Sequence, residues 1–187
     1  MTGQEMETEK SVRNFIEQPR LGDSFFQRDV LQVAPELVGK VLVRMFPNGE
    51  VQRYFIQEVE AYRGEEDQAC HAFKGRTTRT EVMYGEGGRI YIYLIYGMYW
   101  MLNFVTSVKD VPQAVLLRGI NGFNGPGKLS RALKLDKSFY GEQLSASKRL
   151  WIEESKEKPS LICTPRIGID YAGPKWSGKL WRWVAKG

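Results

Sequence analysis

The chain has 187 residues, enough for one hydrophobic core and too few for a second independent domain. Hydrophobic residues make up 42% and aromatics 12%, which excludes a mainly disordered chain, and a net charge of +5 suits a polyanionic partner. Two cysteines, Cys70 and Cys163, are too few and too far apart for a disulfide scaffold or a zinc cluster.

Residues 1–20 mix charged and polar types, are interrupted by Pro19, and read as a tail or peripheral segment before a domain over 21–187. The stretch VLQVAPELVG predicts a short helix ending at Gly39. It is followed by a strand over 40–46, a turn at Pro47, Asn48 and Gly49, and a return strand over 51–62. Tyrosines and β-branched residues over 90–105 predict strands on both sides of Gly97, with Tyr96, Met98 and Tyr99 at the hairpin tip. Residues 112–120 read as another strand, NGFNGPG as a turn-rich connection into a helix over 128–135, and two more strand-like pieces follow Leu161. The sum is a mixed antiparallel α/β domain. No apolar run reaches membrane-spanning length, and the opening MTGQEMETEKSVRNF lacks a signal-peptide core. The expected place is the cytoplasm or nucleoid, or the nucleus of a eukaryotic source, with no membrane partner.

Side-chain alternation puts Glu58, Glu60 and Tyr62 on one face of their strand. Two carboxylates beside an aromatic suit a pocket rim, where Glu60 accepts a proton from water and stabilises developing positive charge; a solvated edge strand is the plainer alternative. His71 is the single histidine, with no second histidine or cysteine pair to complete a metal site. Tyr91 and Tyr93 share a strand face and suit either base stacking or ordinary core packing. Asn103 and Arg118 lie on separate strands that can approach one cavity, the amide to discriminate purine edges and the guanidinium to hold phosphate or orient water. Arg76, Arg79, Arg89, Lys109, Lys128, Arg131 and Lys134 are spread through the same region, as phosphate contacts require.

Taken together and in order, GKVLVR (39–44), EVEAYRGEEDQACHAF (58–73), RTEVMYGEGGRIYIYLIYGMYWMLNFV (79–105), AVLLRGI (114–120), GPGKLSRAL (125–133) and PRIGIDYAG (165–173) resemble the alkyladenine, or 3-methyladenine, DNA glycosylase family. The resemblance implies a single compact domain with a curved antiparallel sheet, surrounding helices and a protruding DNA-intercalating hairpin. It implies Glu60 as the residue that activates water, and Arg118 as the cation holding the flipped nucleotide. Tyr62, His71 and Tyr93 would enclose the flipped base, and Asn103 would disfavour the amino group of guanine. Tyr96 would enter the duplex, with Met98 and Tyr99 beside it. The implied activity is monofunctional excision of 3-methyladenine, with 7-methylguanine and hypoxanthine as further substrates, from damaged double-stranded DNA. A monomer needing neither metal nor organic cofactor is expected. The chain departs from the family at Trp100 and at the Glu86-Gly87-Gly88 run, which bears on substrate ranking. Two rivals remain: a metal-dependent nuclease using Glu58, Glu60 and Glu65, Glu66 or Asp67, and a non-catalytic damage-binding protein using Tyr96 as a wedge.

Overall fold

In a computed structural model, which describes residues 18–186, the expected first hairpin is present. Strand β1 (Val41–Met45) pairs antiparallel with the first half of β2 (Val51–Tyr62), Val41 facing Phe55 and Met45 facing Val51. One turn of helix, α1 (Asp23–Phe26), and the longer α2 (Val30–Leu37) precede it. Asp29 caps α2 by accepting the Leu31 N–H at 2.9 Å. Its buried residues, Val30, Val33, Ala34 and Leu37, form the stripe that a 3.6-residue period predicts.

The remaining strands are β3 (Ile90–Ile95), β4 (Tyr99–Thr106), β5 (Gln113–Ile120), β6 (Phe123–Asn124), β7 (Leu150–Glu153), β8 (Leu161–Thr164) and β9 (Arg182–Ala185). The sheet runs β3-β4-β5-β2-β1-β7, with β6 on β5 and the β8–β9 pair on β2. Strand β2 organises it by changing partners along its length. Past Phe55 its pairing leaves β1, register shifts interrupt the ladder around Glu58, and it then lies between β5 and β9. Such irregularities bend a strand and increase its twist, and the antiparallel sheet curls strongly.

Alternation divides the sheet into two faces. Ile90, Ile92, Leu102, Phe104, Val115, Leu117, Val59 and Ala61 meet α2 and α3 (Pro126–Ala132) in the main core. Each large apolar side chain sealed there contributes roughly 1.5–3 kcal/mol. On the other face, Tyr91, Val105 and Ala114 pack beneath Cys70, Ala72, Val82, Met83 and Tyr84. Those five come from the connection between β2 and β3, which holds three short 3-10 turns, Gly64–Glu66, His71–Lys74 and Glu81–Tyr84. This covering segment leaves a partly open cavity on the second sheet face.

The helix expected over 128–135 starts earlier and stops sooner. Pro126 suits the first helical turn because it has no N–H to leave unpaired, and Lys134 takes φ 49°, which ends the run. Strand β7 was not expected from the sequence; it completes the sheet beside β1. Most of the expected tail, residues 1–17, lies outside the described residues. The adjoining Pro19 and Arg20 dock on the sheet edge: Pro19 O accepts the Glu154 N–H at 2.8 Å, and the Arg20 guanidinium lies 3.9 Å from the Trp151 ring. Among the described residues no helix is long and apolar enough to cross a membrane.

The Glu86-Gly87-Gly88 run has a packing reason. A Cβ on Gly87 would lie 2.5 Å from Phe26 O and 3.0 Å from Ser107 O, both backbone atoms that have little room to yield. Gly87→Ala is therefore expected to destabilise the fold by about 1–3 kcal/mol. Urea unfolding would show it as a lower midpoint at unchanged slope; an unchanged midpoint would contradict this close approach.

Candidate active site

Register alone assembles the centre of the site. Tyr91 on β3 faces Asn103 on β4, Asn103 faces Leu116 on β5, Leu116 faces Glu60 on β2, and Glu60 faces Arg182 on β9. These five residues form one row across five strands, on the sheet face opposite the main core. Alternation adds Tyr93, Tyr62, Glu58 and Arg118 to the same face.

Glu60 is fully buried. Its Oε2 accepts the Tyr62 hydroxyl at 2.8 Å, and its Oε1 accepts the Ile167 N–H at 2.7 Å. Arg118 Nε lies 3.5 Å from Glu60 Oε1 and donates to Glu58 Oε1 at 3.1 Å. Glu58 Oε1 also accepts Arg182 Nε at 2.6 Å. Burial pushes the Glu60 carboxyl above its ordinary pKa, although Arg118, the Ile167 N–H, the Tyr62 hydroxyl and Arg166 all pull it down. The result is a carboxylate held in place by donors yet more basic than one in water, the state required of a general base. Burial, reinforced by Glu60, keeps the Tyr62 hydroxyl protonated and donating.

Next to Glu60 is a small cavity, partly open to solvent and lined by Tyr62, Ala69, Cys70, His71, Met83, Tyr91, Tyr93, Asn103, Ala114 and Tyr171. His71 Nδ1 is 2.7 Å from the Tyr91 hydroxyl, and the His71 and Tyr93 rings meet edge to face at 4.6 Å. Asn103 spends both amide hydrogens on Tyr91 O and Met101 O, at 3.2 and 3.1 Å, so its orientation is set. Burial pushes the Tyr93 hydroxyl above its ordinary range and lowers the His71 imidazole to about 4, with Arg79 adding to the latter effect. Below pH 6.5 the unfolded chain therefore protonates His71 before the folded chain does, and stability falls as the pH drops from 6.5 towards about 4. Between pH 6.5 and 5 this contributes about 1.5 kcal/mol of loss. His71→Asn is expected to flatten that dependence by this amount in urea unfolding; parallel curves for the two proteins would contradict it.

Strands β3 and β4 meet in a turn closed by the Met98 N–H to Ile95 O at 3.1 Å, with both central residues at positive φ, Tyr96 at 50° and Gly97 at 65°. Glycine takes this conformation freely, whereas for tyrosine it is strained by about 1 kcal/mol or more. Tyr96 is nevertheless 85% exposed, and Met98 beside it is 61% exposed. Tyr99 is half-buried and lies against Gly127, where a Cβ would meet the ring at 2.8 Å. Trp100 is half-buried and packs against the main core.

Of the residues singled out from the sequence, Tyr62, His71, Tyr93 and Asn103 line one cavity, and Glu60 and Arg118 meet beside it. Tyr96, Met98 and Tyr99 are together on the hairpin. Sequence reasoning missed Tyr171 at the cavity, the Ile167 N–H on Glu60, Arg182 on Glu58, and the buried Arg166–Asp67 pair. Alternation in β9 could have put Arg182 on the Glu60 face once the strand pairing was known. Arg166 and Ile167 lie outside any regular strand or helix and gave no periodic signal. The acids of the nuclease reading are each engaged by protein donors: Glu58 by Arg118 and Arg182, Glu60 by the Tyr62 hydroxyl and the Ile167 N–H, Glu65 by the Tyr84 hydroxyl, Glu66 by Arg63 and Asp67 by Arg166. Among the described residues no three His, Cys, Asp or Glu side chains gather as metal ligands.

A carboxylate withdrawn from water beside an aromatic-lined cavity supplies groups that hydrolysis of a base–sugar bond can use. Sequence comparison agrees. The model of the methylpurine-DNA glycosylase family matches residues 24–123 and 121–187, and the chain belongs to that family of DNA-repair glycosylases. Proteins named "Putative 3-methyladenine DNA glycosylase" are similar to it almost end to end. One from Natranaerobius thermophilus is 43% identical, covering 89% of this chain and 96% of its own. Another from Methanocella arvoryzae is 40% identical, covering 90% and 93%. A third, from Wolbachia pipientis wMel, is 43% identical, covering 85% and 87%.

Proposed function

We propose that this DNA glycosylase excises alkylated purines, 3-methyladenine foremost, by drawing the base out of the duplex and hydrolysing its glycosidic bond with a Glu60-activated water. The observation that carries this reading is the position of Glu60, sealed from solvent and bonded to Tyr62, itself a wall of the aromatic cavity. The base lies among Tyr62, His71 and Tyr93. Aromatic faces attract the positive charge of a 3-alkylated purine, and a neutral His71 adds no repulsion at pH 7. Asn103, pinned by two carbonyls, stands against the amino group of guanine and ranks 7-methylguanine below 3-methyladenine. Hypoxanthine is neutral, needs more help to leave, and ranks below it for that reason.

Glu60 removes a proton from water as the bond to the sugar breaks, and its charge favours the oxocarbenium-like transition state. Arg118 holds the nucleotide and the water in place. Tyr96 occupies the gap left in the base stack, with Met98 and Tyr99 against the neighbouring pairs. The products are a free base and an abasic site. No lysine lines the cavity to form the Schiff base that a lyase requires.

The test is release of free base, with EDTA present, from duplexes containing 3-methyladenine, 7-methylguanine, hypoxanthine or undamaged adenine. The expected order of single-turnover rates is the order given, with adenine retained. Backbone cleavage that appears only when a divalent metal is restored would replace this reading with the nuclease; tight binding without release would replace it with the damage-binding protein.

A further inference from the structure

We propose that Arg166 and Asp67, neither of which lines the cavity, form a positioning pair that fixes Glu60 relative to the base slot. The inference rests on the function proposed above. Arg166 Nη1 donates to Asp67 Oδ2 at 2.6 Å and to Ala61 O at 2.9 Å, and Nη2 donates to Asp67 Oδ1 at 3.0 Å. Ala61 is the residue between Glu60 and Tyr62. The guanidinium also lies 4.8 Å from the centre of the Tyr62 ring, and the next residue, Ile167, gives its N–H to Glu60. Arg166 therefore braces the strand segment, the ring and the backbone donor that together set the Glu60 carboxylate.

Asp67 extends the same bracing to the other wall of the cavity. Its Oδ1 accepts the Ala69 N–H and its Oδ2 the Arg63 N–H, both at 3.1 Å, while its carbonyl accepts the Cys70 N–H at 2.8 Å. These bonds shape the turn that delivers His71. One buried ion pair thus links the carboxylate side of the site to the histidine side.

Stability alone is a poor reason for this pair. Both side chains are sealed from solvent, and desolvating two charges offsets much of their attraction, so apolar residues of similar size serve stability as well. Arg166 Nε is in addition buried without a hydrogen-bond partner among the described residues, which is a cost to stability. An apolar pair could not replace the directed bonds to Ala61 O and to both oxygens of Asp67. Positioning accounts for the arrangement.

The charge of Arg166 also provides a readout that loss of packing would not mimic. The groups facing Glu60 are Arg118 from β5, Glu58 and Tyr62 from β2, Arg182 opposite it on β9, Arg166 and the Ile167 N–H, with the hydroxyls of Tyr93 from β3 and Tyr171 nearby. Removing the Arg166 cation should move the acid limb of the base-release profile to higher pH. Removing the Asp67 anion, which leaves the cation uncompensated, should move it to lower pH.

The experiment compares single-turnover release of 3-methyladenine and lesion-duplex affinity for the native protein, Arg166→Gln, Arg166→Lys and Asp67→Asn across about pH 4–8, a window that runs upward from the ordinary carboxylate range. Arg166→Gln is expected to slow release by about 10²-fold, the cost of a misplaced reacting group, with little change in affinity. Arg166→Lys should keep the native acid limb and recover part of the rate, because an ammonium retains the charge without the two-pronged grip. Native rates and pH profiles in both Arg166→Gln and Asp67→Asn would overturn the inference. So would equal losses of rate and affinity with unmoved acid limbs, or failure of all three variants to fold, either of which would make the pair a stability device. If the native protein releases no base, the proposed function falls and takes this inference with it; if it does release base, the variants judge the inference alone.

Discussion

Glu60→Gln is expected to lower single-turnover release of 3-methyladenine by about 10²- to 10⁴-fold, the range associated with a lost general base, while leaving lesion-duplex binding close to native. On the proposed roles the two effects separate, because Glu60 acts on water and not on the DNA. The cavity rings and the Tyr96 hairpin remain, and glutamine has nearly the same shape. What disappears is the negative charge and the capacity to take a proton from water. The native rate should fall at acid pH through a pKa above the ordinary 4.5, because burial outweighs the donors around the carboxylate and the ionised form is the active one. That acid limb should be missing from the residual activity of Glu60→Gln. A variant that retains the native rate would assign water activation to another group.

The second large effect belongs to Tyr96, and here stability and activity should move in opposite directions. An exposed tyrosine in a left-handed conformation is unfavourable for the free protein, and Asn-Gly is the sequence that such a turn prefers. Tyr96→Asn is expected to raise stability by about 1 kcal/mol in urea unfolding. If Tyr96 is the proposed wedge, the same change removes a base-stacking ring, an interaction worth about 1–3 kcal/mol, so base release under subsaturating protein should fall by roughly 10- to 100-fold. Release from single-stranded DNA, which has no duplex gap to fill, should fall much less. Equal losses on single- and double-stranded DNA would contradict the wedge role.

The parts of the site that lie on strands were legible in the sequence because alternation is a local signal. Glu58, Glu60 and Tyr62 could be assigned to one face of β2, and Tyr91 and Tyr93 to one face of β3, before any pairing was known. Whether those faces met solvent, core or cavity depended on the segment between β2 and β3, whose 3-10 turns have no usable period. Tyr91 shows why the competing explanations were hard to separate: it is packed in the second core cluster and also bonded to His71 at the cavity. The Arg166–Asp67 pair joins residues 99 positions apart, from segments without regular structure, and no local pattern announces it. At the other end of the scale, the α3 boundaries were displaced by single-residue effects, the first-turn proline and a left-handed Lys134.

The most direct test of the account is a count of products from one reaction. A duplex carrying a single 3-methyladenine is incubated with excess protein in EDTA. Free base is then measured by mass spectrometry and strand breaks by gel, before and after alkali. The account predicts one free 3-methyladenine per lesion strand consumed, with the backbone intact until alkali opens the abasic site. Breaks equal in number to the bases released before alkali would make the protein a lyase, and bound lesion with no free base would contradict catalysis by Glu60 altogether.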